Sequence, residues 1–417
     1  MTAQESHDIG AGFDALWSQL LPIGRTPDTG GYRRFAWTAA DAEAREWFTS
    51  AARGRGLDVH RDRNGNLWAW WLPERQFGEP VDAFVTGSHL DSVPDGGAFD
   101  GPLGVVAALC AVDVLRAGGA RPSKPIAVVV FADEEGARFG VACAGSRLAT
   151  GALDPSRARA LTDADGISLA AAMTQAGVDP NHLGRDDESL ARIGAFVELH
   201  IEQGRALVEL EAFDARVAIA TAIWPHGRWR YSFIGEANHA GTTKLVDRRD
   251  PMLPFAAMTL AARDEAATHG GVATVGRAAV EPNATNAVPS RVTGWLDARA
   301  PDQVALEAIT AGVERQARQA ATDGRVGFEV DAESVSGVVD FPRQLRDFMH
   351  KAIGPVPELA TGAGHDAGVL CAEVASGMLF VRNPSGVSHA PEEFAERADC
   401  LAGVDALAAV MQAWSCP

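Results

Sequence analysis

The sequence predicts an α/β protein in which a small α+β domain interrupts a larger domain built on a mixed sheet. The chain has 417 residues, more than one hydrophobic core usually supports. Its first half alternates apolar strands with helices, and the character changes near residue 216 to strands of alternating pattern. Polar motifs return after GRVGFEVDAES, which ends at residue 334. We therefore expect residues 1–214 and 326–417 to form the larger domain, and residues 215–325 the inserted one.

The larger domain is predicted from segments that end in polar residues. PIAVVVFADEE is a nearly all-apolar strand, typical of a parallel sheet covered on both faces. VDAFVTGSHLDS and GAFVELHIEQG read as two further strands, and LGVVAALCAVDVLRAGG reads as a helix closed by glycine. Open α/β sheets place their ligand sites at the carboxyl ends of their strands, where these polar residues collect.

The inserted domain is predicted from the order of its elements. PMLPFAAMTLAARDEAA and DQVALEAITAGVERQARQA have helical patterns, and strand patterns lie before and between them. This β-α-β-β-α order indicates a ferredoxin-like α+β sandwich.

Composition excludes some classes of partner. The net charge of −18 argues against binding to nucleic acid or to anionic membrane surfaces. The five cysteines form no CxxC pair, which is typical of reduced thiols in a cytoplasmic protein. Neither a signal-peptide pattern nor an apolar run of membrane-spanning length occurs in the sequence. We expect a cytoplasmic protein.

Five histidines lie in short polar motifs together with acidic residues. The histidines are His89, His200, His239, His365 and His389, and the acidic residues are Asp91, Asp100, Glu134, Glu135 and Glu202. Histidine and carboxylate donors without thiolates suit zinc, or manganese or cobalt, in a hydrolytic site. One cation needs three or four protein ligands, so the surplus indicates two cations that share a carboxylate.

Each motif alone has a simpler interpretation. A histidine in a glycine-rich loop is often only a hydrogen-bonded turn residue, and the run Asp133-Glu134-Glu135 could be acidic residues that favour a helix N-terminus. The occurrence of several such motifs at strand ends of one α/β framework favours a site.

The motifs taken together resemble a known family. GSHLDSV, GAFDGPLGV, FADEEGARFG, ELHIEQG, EANHAGTT, GAGHDAG and SHAPEE occur in the order found in the hydantoinase/carbamoylase branch of the dinuclear zinc peptidase and aminoacylase superfamily. That branch includes N-carbamoyl-L-amino acid hydrolases, β-ureidopropionases and allantoate amidohydrolases. The extended pattern looks most like bacterial allantoate amidohydrolases. The resemblance implies a catalytic α/β domain with an inserted lid domain that also forms a homodimer.

The resemblance assigns roles around two metal ions. The implied metal ligands are His89 and His200 for one ion, Glu135 and His389 for the other, and Asp100 bridging both. Glu134 matches the general base that takes a proton from the attacking water and passes it to the leaving nitrogen. Asp91 would orient His89.

Substrate contacts follow from the same resemblance. Arg299 matches an arginine that binds the substrate carboxylate, a task that suits a planar bidentate donor. Gln203, Asn286 and His365 match residues that contact the substrate. His239 on the lid matches the residue that stabilises the tetrahedral oxyanion.

Some positions depart from the family pattern and leave the substrate open. Pro225-His226 stands where many relatives carry glycine-glutamine, and Lys244 and Ser290 replace a frequent proline and glycine. Allantoate and N-carbamoyl-L-amino acids are the expected substrates. Hydrolysis of an N-formyl or N-acyl amino acid or a dipeptide is the alternative, and a catalytically inactive binding module is the non-enzymatic one. Asp133 receives no catalytic role, and we expect it to be a hydrogen-bonding residue at the end of the strand.

Overall fold

The computed structural model describes residues 3–74, 81–210 and 215–416. Its helices are α1 (Ala3–Leu20), α2 (Ala39–Gly54), α3 (Pro102–Ala117), α4 (Ala144–Thr150), α5 (Pro155–Ala160), α6 (Leu169–Gln175), α7 (Asp187–Arg192), α8 (Ala206–Glu209), α9 (Met252–His269), α10 (Gln303–Asp323), α11 (Arg343–Ile353), α12 (Asp366–Leu370) and α13 (Arg397–Ser415). Within the described ranges, none of these helices combines the length and apolar character needed to cross a membrane.

The strands alternate with helices in the first half of the chain, as predicted. They are β1 (Asp58–Arg61), β2 (Leu67–Trp71), β3 (Ala83–His89), β4 (Ile126–Phe131), β5 (Ile193–Ile201), β6 (Val217–Ile223), β7 (His226–Ile234), β8 (Asn238–His239), β9 (Val272–Glu281), β10 (Ala287–Val288), β11 (Arg291–Arg299), β12 (Gly327–Ser336), β13 (Val339–Asp340), β14 (Glu358–Thr361) and β15 (Ser376–Val381).

The chain forms two compact units. The second unit consists of residues Ala222–Asp340 and Ala360–Ala363, and the first contains the remaining described residues. The chain passes from one unit into the other within β6 and again within β14.

The first unit is built on a mixed sheet with strand order β1-β2-β4-β3-β5-β15-β6. The four central strands, β4, β3, β5 and β15, are parallel to one another, whereas β2 and β6 flank them in antiparallel orientation. Every residue of β3, β4 and β15 is buried, which explains their continuous apolar sequences. Because the central strands are parallel, their carboxyl ends meet at one edge of the sheet. The predicted mixed-sheet fold class is confirmed.

The second unit contains a four-stranded antiparallel sheet with strand order β12-β7-β11-β9. Its chain order, β7-α9-β9-β11-α10-β12, is the ferredoxin-like β-α-β-β-α-β arrangement. Apolar residues of the helices α9 and α10 pack with residues of the sheet in a single core, which includes Phe233, Met258, Leu296 and Ile309.

The predicted end of the inserted domain at residue 325 is wrong. Strand β12, which the sequence-based division assigns to the larger domain, pairs with β7 along its whole length and is an edge strand of the second unit's sheet. The unit therefore continues to Asp340, and it begins at Ala222 rather than at residue 215. The alternating pattern of β12 fits a half-buried strand in either domain, so the sequence around it does not specify its partner.

Candidate active site

The predicted site residues of the first unit follow the carboxyl ends of the parallel strands. His89 is the last residue of β3, and His200 is the penultimate residue of β5. Glu134 and Glu135 lie just beyond β4, and His389 lies in the loop after β15. Residues that are distant in sequence are thus brought to one edge of the sheet.

Asp100 lies at the centre of this group and is 6% exposed. Its Oδ1 is 3.2 Å from Nε2 of His200 and 3.6 Å from Nε2 of His89. Its Oδ2 is 3.3 Å from Nε2 of His389 and accepts a hydrogen bond from Nε2 of Gln203 at 2.8 Å. The two oxygens of one carboxylate therefore face different histidines.

Two groups of candidate metal ligands share this carboxylate. In each of the triads His89–Asp100–His200 and Asp100–Glu135–His389, one donor atom per residue lies within 4.8 Å of the others. Oε2 of Glu135 is 3.7 Å from Nε2 of His389. The backbone of Gly101 lies close to the ring of His89 in the first triad, and a Cβ at this position would overlap that ring. Gly101 also has a φ of +84°, a left-handed conformation that favours glycine.

The hydrogen bonds of the two buried histidines fix the nitrogen that faces Asp100. Nδ1 of His89 lies 3.1 Å from the carbonyl oxygen of Asp91, and Nδ1 of His200 lies 2.9 Å from that of Ile201. Each Nδ1–H donates to a carbonyl, which leaves each Nε2 lone pair directed at a carboxylate. A lone pair on Nε2 and a carboxylate oxygen repel each other, because both are acceptors. A proton or a metal ion must therefore lie between them. The donor set therefore fits divalent metal ions, whose histidine ligands commonly make such carbonyl contacts.

Charge within the site favours bound positive charge. Burial would raise the pKa of Asp100, but hydrogen bonds from His200, His389 and His89 hold it well below its ordinary value. Burial would lower the pKa of His89, but Glu134 and Asp100 raise it well above its ordinary value. The neighbouring carboxylates therefore stabilise positive charge at these histidines. A bound cation can supply that charge in place of a proton.

Glu134 is buried beside the first triad. Its Oε2 is 3.6 Å from Nε2 of His89, and its Oε1 accepts a hydrogen bond from Sγ of Cys143 at 3.1 Å. Burial raises the pKa of Glu134 well above its ordinary value; His89 opposes this shift, and Asp366 adds to it. A carboxyl group with these properties can accept and hold a proton next to the candidate ligands.

The carboxylate of Asp91 holds the backbone of the two glutamates. Oδ1 accepts the N–H of Glu134 at 3.1 Å, and Oδ2 accepts the N–H of Glu135 at 3.0 Å. Its distance to Nδ1 of His89 is longer, at 3.6 Å, so the hydrogen-bonding partner of that ring is the carbonyl of Asp91.

Asp133 precedes these glutamates in a left-handed backbone conformation with φ 55°. It is 3% exposed, and within the described part of the chain neither carboxylate oxygen has a hydrogen-bond partner. Burial raises its pKa well above the ordinary value, and Asp91 adds to this shift. The turn at Asp133 orients the next two N–H groups toward Asp91.

Two predicted substrate residues of the first unit contact the candidate ligands. Gln203 donates to Asp100, as described above, and the ring of His365 is stacked edge-on against that of His200, with centroids 4.5 Å apart. Both His365 and His200 are buried. Glu202 has a structural position, because its carboxylate accepts two backbone N–H groups at the start of α8.

The second unit brings His239 and Asn286 together. His239 lies on β8, which pairs with β10, and the N–H of Ala240 donates to the carbonyl of Asn286 at 3.0 Å. Nδ1 of His239 accepts the N–H of Gly241 at 3.0 Å. The neutral ring therefore carries its proton on Nε2, and this N–H is a donor on an exposed side chain.

Arg299 ends β11 and is held by two neighbours within the second unit. Its Nε donates to Asp297 at 2.8 Å, and its Nη1 donates to the carbonyl of Gly362 at 2.7 Å. A weaker contact joins Nη2 to Asp297 at 3.3 Å. Each terminal nitrogen carries a second N–H, and such a pair suits a carboxylate. His226 lies directly opposite Arg299 in the pairing of β7 with β11.

Sequence reasoning missed four residues that support the site. They are Cys143, Glu198, Asp366 and Glu393, all buried. Glu198 accepts hydrogen bonds from Oγ of Ser88 at 2.7 Å and from the N–H of Ala367 at 3.0 Å. Three of the four stand in quoted motifs, Glu198 in ELHIEQG, Asp366 in GAGHDAG and Glu393 in SHAPEE, so their positions were a usable signal, whereas Cys143 lies outside every motif.

Comparison with known proteins identifies the class to which this fold and site belong. Residues 85–413 match Peptidase family M20/M25/M40, and the chain belongs to this family. Its members are metal-dependent hydrolases that act on C–N bonds, and the chain is therefore a hydrolase of that class.

Individual relatives narrow the class. The chain is 40% identical to the N-carbamoyl-L-amino acid amidohydrolase of Geobacillus stearothermophilus, over 94% of this chain and 96% of the relative. It is 32% identical to the allantoate amidohydrolase of Escherichia coli K12, over 94% of this chain and 95% of that one. The crystal structure of a hydantoinase/carbamoylase family amidase from Burkholderia vietnamiensis superposes with a TM-score of 0.86, at 29% identity and 98% coverage of both chains. The predicted hydantoinase/carbamoylase resemblance is confirmed.

Proposed function

We propose that the protein hydrolyses a ureido C–N bond in a small carboxylate-bearing substrate and uses two divalent cations. The observation that carries this proposal is the position of Asp100, whose two oxygens face two separate groups of donors, with Glu134 beside them. Zinc, manganese and cobalt all suit this donor set.

In this proposal each cation has its own set of residues. His89 and His200 would hold one cation, Glu135 and His389 would hold the other, and Asp100 would contribute one oxygen to each group. Bound divalent cations polarise a carbonyl group and lower the pKa of water.

Glu134 acts as the general base. It accepts the proton of the attacking water and delivers it to the leaving nitrogen, a role supported by its raised pKa and its place beside His89. Asp91 fixes the backbone of Glu134, and the thiol of Cys143 orients its carboxylate.

In this proposal each predicted substrate residue has its own task. Arg299 binds the carboxylate, and His239 donates its Nε2–H to the oxyanion that forms on the attacked carbonyl. Gln203, Asn286 and His365 contact the rest of the substrate.

The two favoured substrates give the same small products. Hydrolysis of an N-carbamoyl-L-amino acid yields the amino acid, ammonia and carbon dioxide, and hydrolysis of allantoate yields ureidoglycine with ammonia and carbon dioxide. One N-carbamoyl relative is 40% identical, but two others, at 33% and 31%, are as distant as the allantoate relatives at 32%, so both substrates belong in the assay.

A substrate panel tests the proposal. The enzyme is stripped of metal, reloaded with zinc, manganese or cobalt, and assayed with allantoate, N-carbamoyl-L-amino acids, 3-ureidopropionate, N-formyl-L-glutamate and a dipeptide. We expect the highest kcat/KM with a ureido compound. Equal or higher turnover of the formyl compound or the dipeptide would reject the ureido assignment, and activity of the stripped enzyme would reject the role of the cations.

We further propose that the protein is a cytoplasmic homodimer that associates through the second unit. Leu245, Val246 and Leu253 of that unit are 81%, 72% and 67% exposed, an arrangement that favours burial against a second copy. Light scattering should give twice the chain mass of 43.9 kDa. A monomer mass at working concentration would reject the dimer.

A further inference from the structure

We propose that Glu393 is a positioning residue that holds the loops of Asp100 and His389 in one geometry. The inference rests on the proposed function, because it treats Asp100 and His389 as metal ligands. Neither the sequence motifs nor the relatives' names give Glu393 a role.

The carboxylate of Glu393 joins the two loops by three hydrogen bonds. Oε2 accepts the N–H of Phe99 at 3.0 Å and the N–H of Asp100 at 2.9 Å. Oε1 accepts from Oγ of Ser388 at 3.2 Å. Glu393 is 4% exposed, so water does not compete strongly for these contacts.

Ser388 contacts both Glu393 and Asp100 and so links the two loops a second time. Its Oγ also lies 3.4 Å from Oδ2 of Asp100, the oxygen that faces His389. Asp100 is thus held at its backbone by Glu393 and approached at its side chain by the residue that precedes His389. A displacement of either loop would change the distances from Asp100 to both groups of ligands.

The packing around Glu393 makes room for this contact. At Gly97, the three nearest atoms to an added Cβ all belong to Glu393, and the Cβ would overlap its Cβ and Oε2. The φ of Gly97 lies outside the left-handed region, so alanine there would be unfavourable mainly through this overlap. Gly97→Ala therefore displaces the carboxylate without removing it.

Position and charge can be separated by an isosteric change. In Glu393→Gln, the amide oxygen can accept the two backbone N–H groups, and the amide N–H can donate to Oγ of Ser388. A positioning role needs only these hydrogen bonds and tolerates glutamine. A role of the negative charge does not.

The experiment measures cation affinity by competition with a chromophoric zinc chelator, together with kcat, KM and the thermal unfolding midpoint. We expect Glu393→Ala and Gly97→Ala to weaken cation affinity by ~10–100-fold and to lower kcat, with KM within about threefold of wild type. Glu393→Gln should stay within about threefold of wild type in both quantities. Glu392→Gln, which alters the exposed neighbouring carboxylate, is the matched control and should change nothing.

The outcomes separate this inference from the proposed function. Wild-type affinity and kcat in both Glu393→Ala and Gly97→Ala would overturn the inference, and so would a Glu393→Gln variant as damaged as Glu393→Ala. If Glu393→Ala does not fold, Gly97→Ala and Glu393→Gln still decide. Asp100→Asn is measured in parallel: wild-type cation content in that variant would overturn the proposed metal site itself.

Discussion

The two units of the molecule present their functional residues in opposite ways. In the first unit His89 and His200 lie at or near the carboxyl ends of buried strands, and a backbone carbonyl holds Nδ1 of each ring. In the second unit His239 and Asn286 are exposed, and Arg299 is half-buried at the end of a strand. Apart from the exposed His389, the candidate ligands of the first unit are thus more buried than the proposed recognition groups of the second unit.

This difference teaches where substrate choice can change. A substitution near Asp100 or Glu134 alters a buried charged network and affects every substrate. A substitution near Arg299 or His239 alters few other contacts. The departures from the family pattern at Pro225-His226 fall in the second unit, as this comparison expects.

The largest expected effect is in the buried network. Glu134→Gln keeps the size of the side chain but cannot accept the proton, so kcat should fall by ~10²–10⁴-fold. Cation content, measured by elemental analysis, should remain that of wild type. Full turnover with cations bound would contradict the role of Glu134.

The next effect tests the exposed side of the comparison. His239→Ala removes the proposed oxyanion donor, and kcat should fall by ~10²–10³-fold with little change in cation content. His269→Ala, which alters another exposed histidine of the same unit, is the control. A rise in KM alone, with kcat retained, would argue against transition-state stabilisation by His239.

A smaller effect is expected for the carboxylate anchor. Arg299→Ala should raise KM for carboxylate substrates by ~10–100-fold, because a charge-assisted pair of hydrogen bonds is lost. Arg228→Ala is the matched control, since Arg228 contacts the same Asp297, with its Nε 3.3 Å from Oδ2. An unchanged KM for Arg299→Ala would remove the anchor role.

The smallest effect concerns the thiol beside the general base. Cys143→Ala removes one weak donor to Glu134 and should lower kcat by roughly threefold to tenfold. Cys143→Ser restores a donor and should recover most of the activity. Equal kcat in the alanine and serine variants would show that the thiol only fills space.

The sequence predicts which candidate residues lie together where a motif follows a strand. The apolar run before Glu134 and Glu135, and the polar residues after β3 and β5, mark carboxyl ends that a parallel sheet must bring together. The order of elements likewise predicts the ferredoxin-like sheet of the second unit.

The residues that support the site could not be predicted in the same way. Glu393 lies 293 positions from Asp100, and no local pattern links a buried carboxylate to a distant backbone N–H. The partner of β12 was missed for a related reason, because an alternating strand fits the edge of more than one sheet. Such interactions are fixed by tertiary packing alone.

The parallel pairing of β15 with β5 has a consequence for biosynthesis. The candidate ligands are spread from residue 89 to residue 389. The complete set therefore forms only after the last central strand, β15, has joined the sheet. A nascent chain still lacking this C-terminal segment has His89, Asp100 and His200 but no His389. In the proposed two-cation site, the residues of the group with His389 are therefore complete only after those of the group with His89 and His200 have been synthesised.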